Sequence, residues 1–230
     1  MHAWILGVAA AATALLASAA RAADDDDAAR PCPRSTAAVL ERFISAECES
    51  CWTDPSVARP DAGEWLLDWI VPSARGESAP LSGAAPVEAR GRVERAMKAT
   101  PTEDQPGVQR TPARGASSLQ LRVLSGPAWN GYFGVQIDGS GRAPAGSAAW
   151  VALVESVASG TDGTVAPREV VRTVSGPLVP AELRQGKPWQ HLLAMRWPET
   201  AKASRLRARA WIEDAGGHIV AMAGERCDAR

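Results

Sequence analysis

The stretch "STAAVLERFISAECESCWTD", residues 35–54, runs from an apolar block into two cysteines three positions apart. Val39, Leu40, Phe43 and Ile44 fit one face of a helix as well as they fit a strand, and periodicity alone does not choose between them. Pro55 and Pro60 forbid a long uninterrupted helix after the cysteines. "EWLLDWIVP", residues 64–72, is a nearly continuous apolar run closed by a proline, which suits a buried strand. "PVEARGRVERAMKAT", residues 86–100, is the clearest helix of this half. Pro86 suits its first turn, Val87, Val93, Ala96 and Met97 make a narrow apolar stripe, and Pro101 stops it.

After residue 116 the texture changes. "SLQLRVL", "GYFGVQI", "AAWVALVESV", "REVVRTV", "WQHLLAMRW", "SRLRARAWIE" and "GHIVAMA" are short alternating or β-rich runs. Turn chemistry such as "SGPAWNG", "SGTDGTVAP" and "DAGG" separates most of them. In the last hairpin Leu206, Ala208, Ala210 and Ile212 face one way and Arg205, Arg207 and Arg209 the other. Seven such strands at regular spacing predict an antiparallel β-sandwich. The expected fold class is therefore an α/β unit at 35–115 followed by an all-β unit at 116–227.

Composition narrows the setting. The 230 residues carry a formal net charge of −1, so no basic face points to nucleic acid. Nine tryptophans against one Tyr and two Phe make tryptophan the main aromatic of the core. Residues 1–22 read as a signal peptide: an uncharged, alanine-rich apolar stretch ends in the small-x-small pattern Ala20-Arg21-Ala22. Residues 23–34, "ADDDDAARPCPR", form a polar leader. The expectation is export to the periplasm or beyond, with no transmembrane span after cleavage.

All four cysteines, Cys32, Cys48, Cys51 and Cys227, survive that cleavage, and in an oxidising compartment they fit two disulfides with three possible connectivities. The spacing of one CxxC and two lone partners argues against zinc, and no cofactor or metal is expected. The sequence has no Gly-rich phosphate loop, no H-E-x-x-H and no nucleophile elbow. His191 and His218 each sit in a strand-like segment, where a packed or solvated histidine is the ordinary outcome.

"VLERFISAECESC", residues 39–51, resembles the "ELFTSQGCSSC" segment of a secreted bacterial family of unknown function, in which a thioredoxin-like domain precedes a β-sandwich. "PGVQRTPA", residues 106–113, resembles the thioredoxin-superfamily segment "GVxGTPA". The resemblance implies a reduced thioredoxin-like domain, with Cys48 and Cys51 as the redox pair and Pro112, preceded by Thr111, as a cis-proline lying against them. This sequence places Glu47 and Glu49 on either side of Cys48, which raises a thiol's pKa and disfavours the attacking thiolate. A Cys48–Cys51 disulfide would leave Cys32 and Cys227 for each other, while a bond from Cys32 to Cys48 or Cys51 is the alternative. Two functional readings stay open: thiol–disulfide exchange with other envelope proteins, and a non-enzymatic envelope protein with a structural CxxC and a partner-binding sandwich.

Overall fold

The computed structural model describes residues 38–97, 100–114 and 118–225. The expected signal segment and leader, together with Cys32 and Cys227, lie outside the described residues.

The ambiguous block is a strand, β1 (Ala38–Ser45). A five-residue helix α1 (Glu49–Thr53) carries the cysteine pair, and β2 (Glu64–Val71) returns parallel to β1. The helix α2 (Glu88–Ala96) and the strand β3 (Gly107–Pro112) complete this half, with β3 antiparallel on the other flank of β1. Tertiary pairing thus settles what periodicity left open, because β1 is hydrogen-bonded on both sides and buried on both faces. The seven later segments are β4 (Gln120–Trp129), β5 (Tyr132–Ser140), β6 (Ala148–Val157), β7 (Arg168–Leu178), β8 (Trp189–Arg196), β9 (Leu206–Glu213) and β10 (Ile219–Gly224). A short helix, α3 (Ala181–Gln185), precedes β8. Asn130 and Gly131 take positive φ (47° and 81°) in the two-residue turn between β4 and β5, which an Asn-Gly pair adopts with little strain.

These strands form a mixed sheet and an antiparallel sheet. The mixed sheet has seven strands in the order β10-β9-β6-β7-β2-β1-β3, and the other is β4-β5-β8. Four of the later strands therefore join the first three in one sheet, which runs across the boundary expected near residue 116. The join is the parallel contact of β2 with β7 at Asp68 and Val170. The sheet also curls until its edges touch, since Ala113, just after β3, bridges Ile219 of β10, and the Arg114 N–H donates to the Ile219 carbonyl (2.8 Å). The three-stranded sheet covers β6, β9 and β10, packing Val123, Val135 and Ile137 against Val151, Leu153, Ala210 and Ile212.

The helix α2 covers the opposite face of the mixed sheet, but not with the stripe expected of it. Val87 is exposed, and the inward face is Ala89, Arg92, Val93 and Ala96. Arg92 can be buried because two carboxylates meet it. It binds Glu41 of β1 through two hydrogen bonds (2.7 and 2.8 Å) and Glu213 of β9 through a third. The indole N–H groups of Trp69 and Trp211 donate to the same two carboxylates (2.9 and 3.1 Å). Burial works against the Arg92 charge, but Glu41 and then Glu213 hold its pKa above the ordinary arginine value. Replacing Arg92 by Met should strand two buried carboxylates and lower the urea-unfolding free energy by about 3–5 kcal/mol. A loss below about 1 kcal/mol would show that α2 docks through its apolar residues alone.

Candidate functional site

The cysteine pair sits at the end of β1, where the strand leaves the sheet. The Cys48 N–H donates to the Ser45 carbonyl (2.9 Å), and Ala46 and Leu81 are tied by backbone bonds between Ala46 and Val71 and between Leu81 and Ala46. Cys48 is the N-cap of α1, its sulfur accepting from the Cys51 N–H (3.2 Å), and it is disulfide-bonded to Cys51 with a Cα separation of 5.3 Å. Cys48 is 0% and Cys51 4% exposed. Ile44, Ile70, Ala79, Val157 and Val170 pack with the two cysteines into a dry cluster.

A buried polar cluster holds the rest of α1. Arg168, at the start of β7, donates to the carbonyls of Cys51 (2.9 Å) and Trp52 (2.7 Å). These are C-terminal carbonyls that so short a helix leaves without partners of its own. The Arg168 guanidinium also stacks over the Trp52 ring, 5.1 Å from its centroid, with its Nη1 3.6 Å from the Asp68 carboxylate. Burial holds its pKa below the ordinary arginine value, with Asp68 opposing that shift and Arg42 adding to it. Asp68 itself is wholly buried and receives both Nε and Nη2 of Arg42 (2.6 Å each) and the Glu169 N–H (2.8 Å). Arg42 continues to the carbonyls of Ala58, in the loop after α1, and of Pro167, just before β7 (3.0 and 3.2 Å). The Trp52 N–H donates to the Asp162 carbonyl (2.8 Å) in the loop between β6 and β7.

Two acids flank Cys48 in sequence. Glu49 is exposed and Glu47 half-buried, and an interaction with the Ser73 hydroxyl, aided by Arg75, holds the Glu47 carboxyl below its usual range. The α1 helix, with five residues, has little macrodipole of its own.

The structure does not bring the second half of the expected site to the first. Thr111 pairs with Val39 and Pro112 with Ala38, at the start of β1, whereas the cysteines follow its end, roughly 23 Å along the strand. The cis X-Pro bond among the described residues is Gly176–Pro177, so Thr111–Pro112 does not have the geometry the resemblance implied. The end of β3 nearer the cysteines is its beginning, after Pro106. His218 binds the Asp214 carboxylate in the last hairpin (3.1 Å), and His191 is exposed on β8, both remote in the fold from the disulfide. Sequence reasoning missed the Arg42–Asp68–Arg168 cluster. Its signal was present, since "LERF" and "LLDWI" hold opposite charges inside apolar runs that must be buried.

Comparisons with known proteins add a distant likeness. No family model matches the chain, and no curated protein matches it. Among solved structures the chain is similar to HBP35 of Porphyromonas gingivalis, at 8% identity and a TM-score of 0.46, over 85% of this chain and 76% of that one. No helix among the described residues is long and apolar enough to cross a membrane.

The loop that receives Trp52 is itself ion-paired, since the Asp162 carboxylate binds Lys202 (3.0 Å) and Arg205 (2.6 Å), which hold its pKa below the usual carboxylate value. A lowered folded-state pKa contributes stability above the unfolded value near 3.9 and loses it as pH falls through the folded value. Asp162→Asn should therefore lower Tm at neutral pH and flatten the fall below about pH 4. Because the pair is exposed, the effect should stay within about 1 kcal/mol. Asn tolerates the positive φ of 46° at this position, so the backbone is preserved. A Tm profile that keeps its acid limb unchanged would remove Asp162 from the account.

Proposed function

We propose that this chain is an exported envelope protein whose Cys48–Cys51 disulfide is a structural clamp, with a β-rich body that meets partners without catalysis. The observation that carries this reading is the burial of Cys48 at 0% exposure. Disulfide exchange begins with a thiolate approaching one sulfur along the S–S axis, and a redox-active pair keeps one sulfur open to it. Here the pair lies among apolar side chains, with Glu47 and Glu49 on either side of Cys48, at the start of a five-residue helix. Apolar burial and neighbouring acids both disfavour an attacking thiolate, and the single N–H that Cys48 accepts at a five-residue helix is a small opposing effect.

The unit β1–α1–β2–β3 supports a reduced thioredoxin-like element: a parallel strand pair joined through the CxxC, with an antiparallel third strand beside the first. Beyond residue 116, β6, β7, β9 and β10 extend the sheet of that unit, and β4-β5-β8 covers it. Export rests on the apolar N-terminal stretch and on the four cysteines.

The reduction potential of the Cys48–Cys51 pair tests this directly. A structural bond should lie below about −300 mV, outside the roughly −120 to −270 mV of known oxidoreductases. Cys48→Ser should cost about 2 kcal/mol, the chain-entropy value for so short a loop. Turnover in an insulin-reduction assay that Cys48→Ser abolishes would replace the clamp by an exchange catalyst.

A further inference from the structure

The outward face of the β4-β5-β8 sheet is remote from the disulfide and has features of its own. Strand pairing sets its side chains in rows. Trp129 pairs with Tyr132 and Tyr132 with Arg196, so two aromatic rings and a guanidinium share the row at the hairpin end. Trp129 is 81% and Tyr132 44% exposed, although tryptophan elsewhere in this chain is mostly core. Gly134 and Ala194 form the next row and leave a shallow trough. Further along, Arg122, Asp138 and Gln190 are cross-strand neighbours and line a cleft of about 460 Å³. Asp138 accepts from the amides of Gln190 (3.0 Å) and Gln136 (3.1 Å). Neither Arg122 nor Arg196 has a hydrogen-bond or ion-pair partner among the described residues.

We propose that this face binds a linear oligosaccharide. A sugar hydroxyl donates and accepts at once, and the cleft offers both roles side by side: guanidinium and amide N–H groups to donate, the oriented Asp138 carboxylate to accept. Amides already hold that carboxylate in place, which lowers the entropy lost when a hydroxyl joins them. The C–H faces of pyranose rings are apolar and flat, and Trp129 and Tyr132 present rigid rings of matching character. From Tyr132 to Asp138 the strand spans roughly 20 Å, so the aromatic row and the polar cleft suit separate rings of one chain. Other occupants fit less well. A nucleic acid would ask for clustered cations, and here two arginines stand far apart with a carboxylate beside one. An apolar ligand would ask for an enclosed apolar pocket, and this cleft is open and carries Arg122, Asp138 and Gln190 in its wall. The proposal is separate from the role given to the disulfide, and neither result decides the other.

The test is a titration of the full ¹⁵N-labelled chain, disulfide intact, with cellohexaose, chitohexaose and hexagalacturonate at millimolar concentration. The expected result is a shift of the Trp129 indole N–H and the Asp138 amide with at least one of the three. A neutral oligomer would place hydroxyl recognition at Asp138 in the lead, and the acidic oligomer would place the two arginines there. Trp129→Ala and Arg122→Ala, both at exposed positions, should each weaken binding about tenfold with Tm unchanged. No shift with any of the three, or binding that neither substitution weakens, overturns the proposal.

Discussion

Asp68 sits where the mixed sheet is thinnest. β2 and β7 share one registered pair, Asp68 with Val170, and yet they join the first three strands to the last four. The Asp68 carboxylate supplies what the ladder lacks. It takes the Glu169 N–H of β7 at 2.8 Å and holds Arg42 of β1 through two bonds, so three strands meet at one buried anion. Arg42 and Arg168 then carry the tie outward to the loops and to the helix of the cysteines. An isolated buried carboxylate is costly, and here two guanidinium groups and a backbone N–H surround the Asp68 carboxylate.

The same strand serves a second network on its other face. Glu41 and Arg42 are adjacent, and alternation along β1 sends one to α2 and the other to Asp68. This placement specifies register more firmly than it stabilises. Buried ion pairs often contribute little beyond a hydrophobic replacement of the same volume. A slip of β1 by one residue, however, would turn Glu41 toward Asp68 and Arg42 toward Arg92, leaving like charges buried together on both faces. Apolar residues flank the pair on both faces of β1 and would tolerate the slip far better. The charges inside the apolar block are therefore what makes its pairing unique.

The strand segments were legible because turn chemistry and alternation are local: all seven runs after residue 116 are strands. Their partition was not legible. Which of them would join β2, and that Ala113 would reach Ile219, depends on contacts more than a hundred residues apart in sequence. The helix α2 shows the same limit in one residue. Arg92 lies on the inward face because Glu41 and Glu213 lie under it, and an apolar-stripe argument places arginine outside. Thr111 and Pro112 failed for a different reason. A short motif fixes residue identity, but strand register fixes distance, and the register of β3 sends them to the far end of β1. The cysteine pair was legible as a pair; its burial follows from Ile70, Ala79 and Val157, which no local pattern links to it.

That burial gives the CxxC its physical meaning. A five-residue helix does not persist alone in water, because nucleation costs more than its few hydrogen bonds return. Here α1 is held at both ends by groups outside it. The disulfide and the Cys48 cap close its first turn, Arg168 takes the carbonyls of its last, and the Trp52 N–H reaches the Asp162 carbonyl. An exchange catalyst needs the opposite arrangement, with one sulfur open and the helix indifferent to whether the bond is made or broken. In this chain, breaking the bond would release a covalent tie buried among Ile44, Ile70, Ala79 and Val170. The helix that would have to activate a thiolate is the element the disulfide itself holds in place.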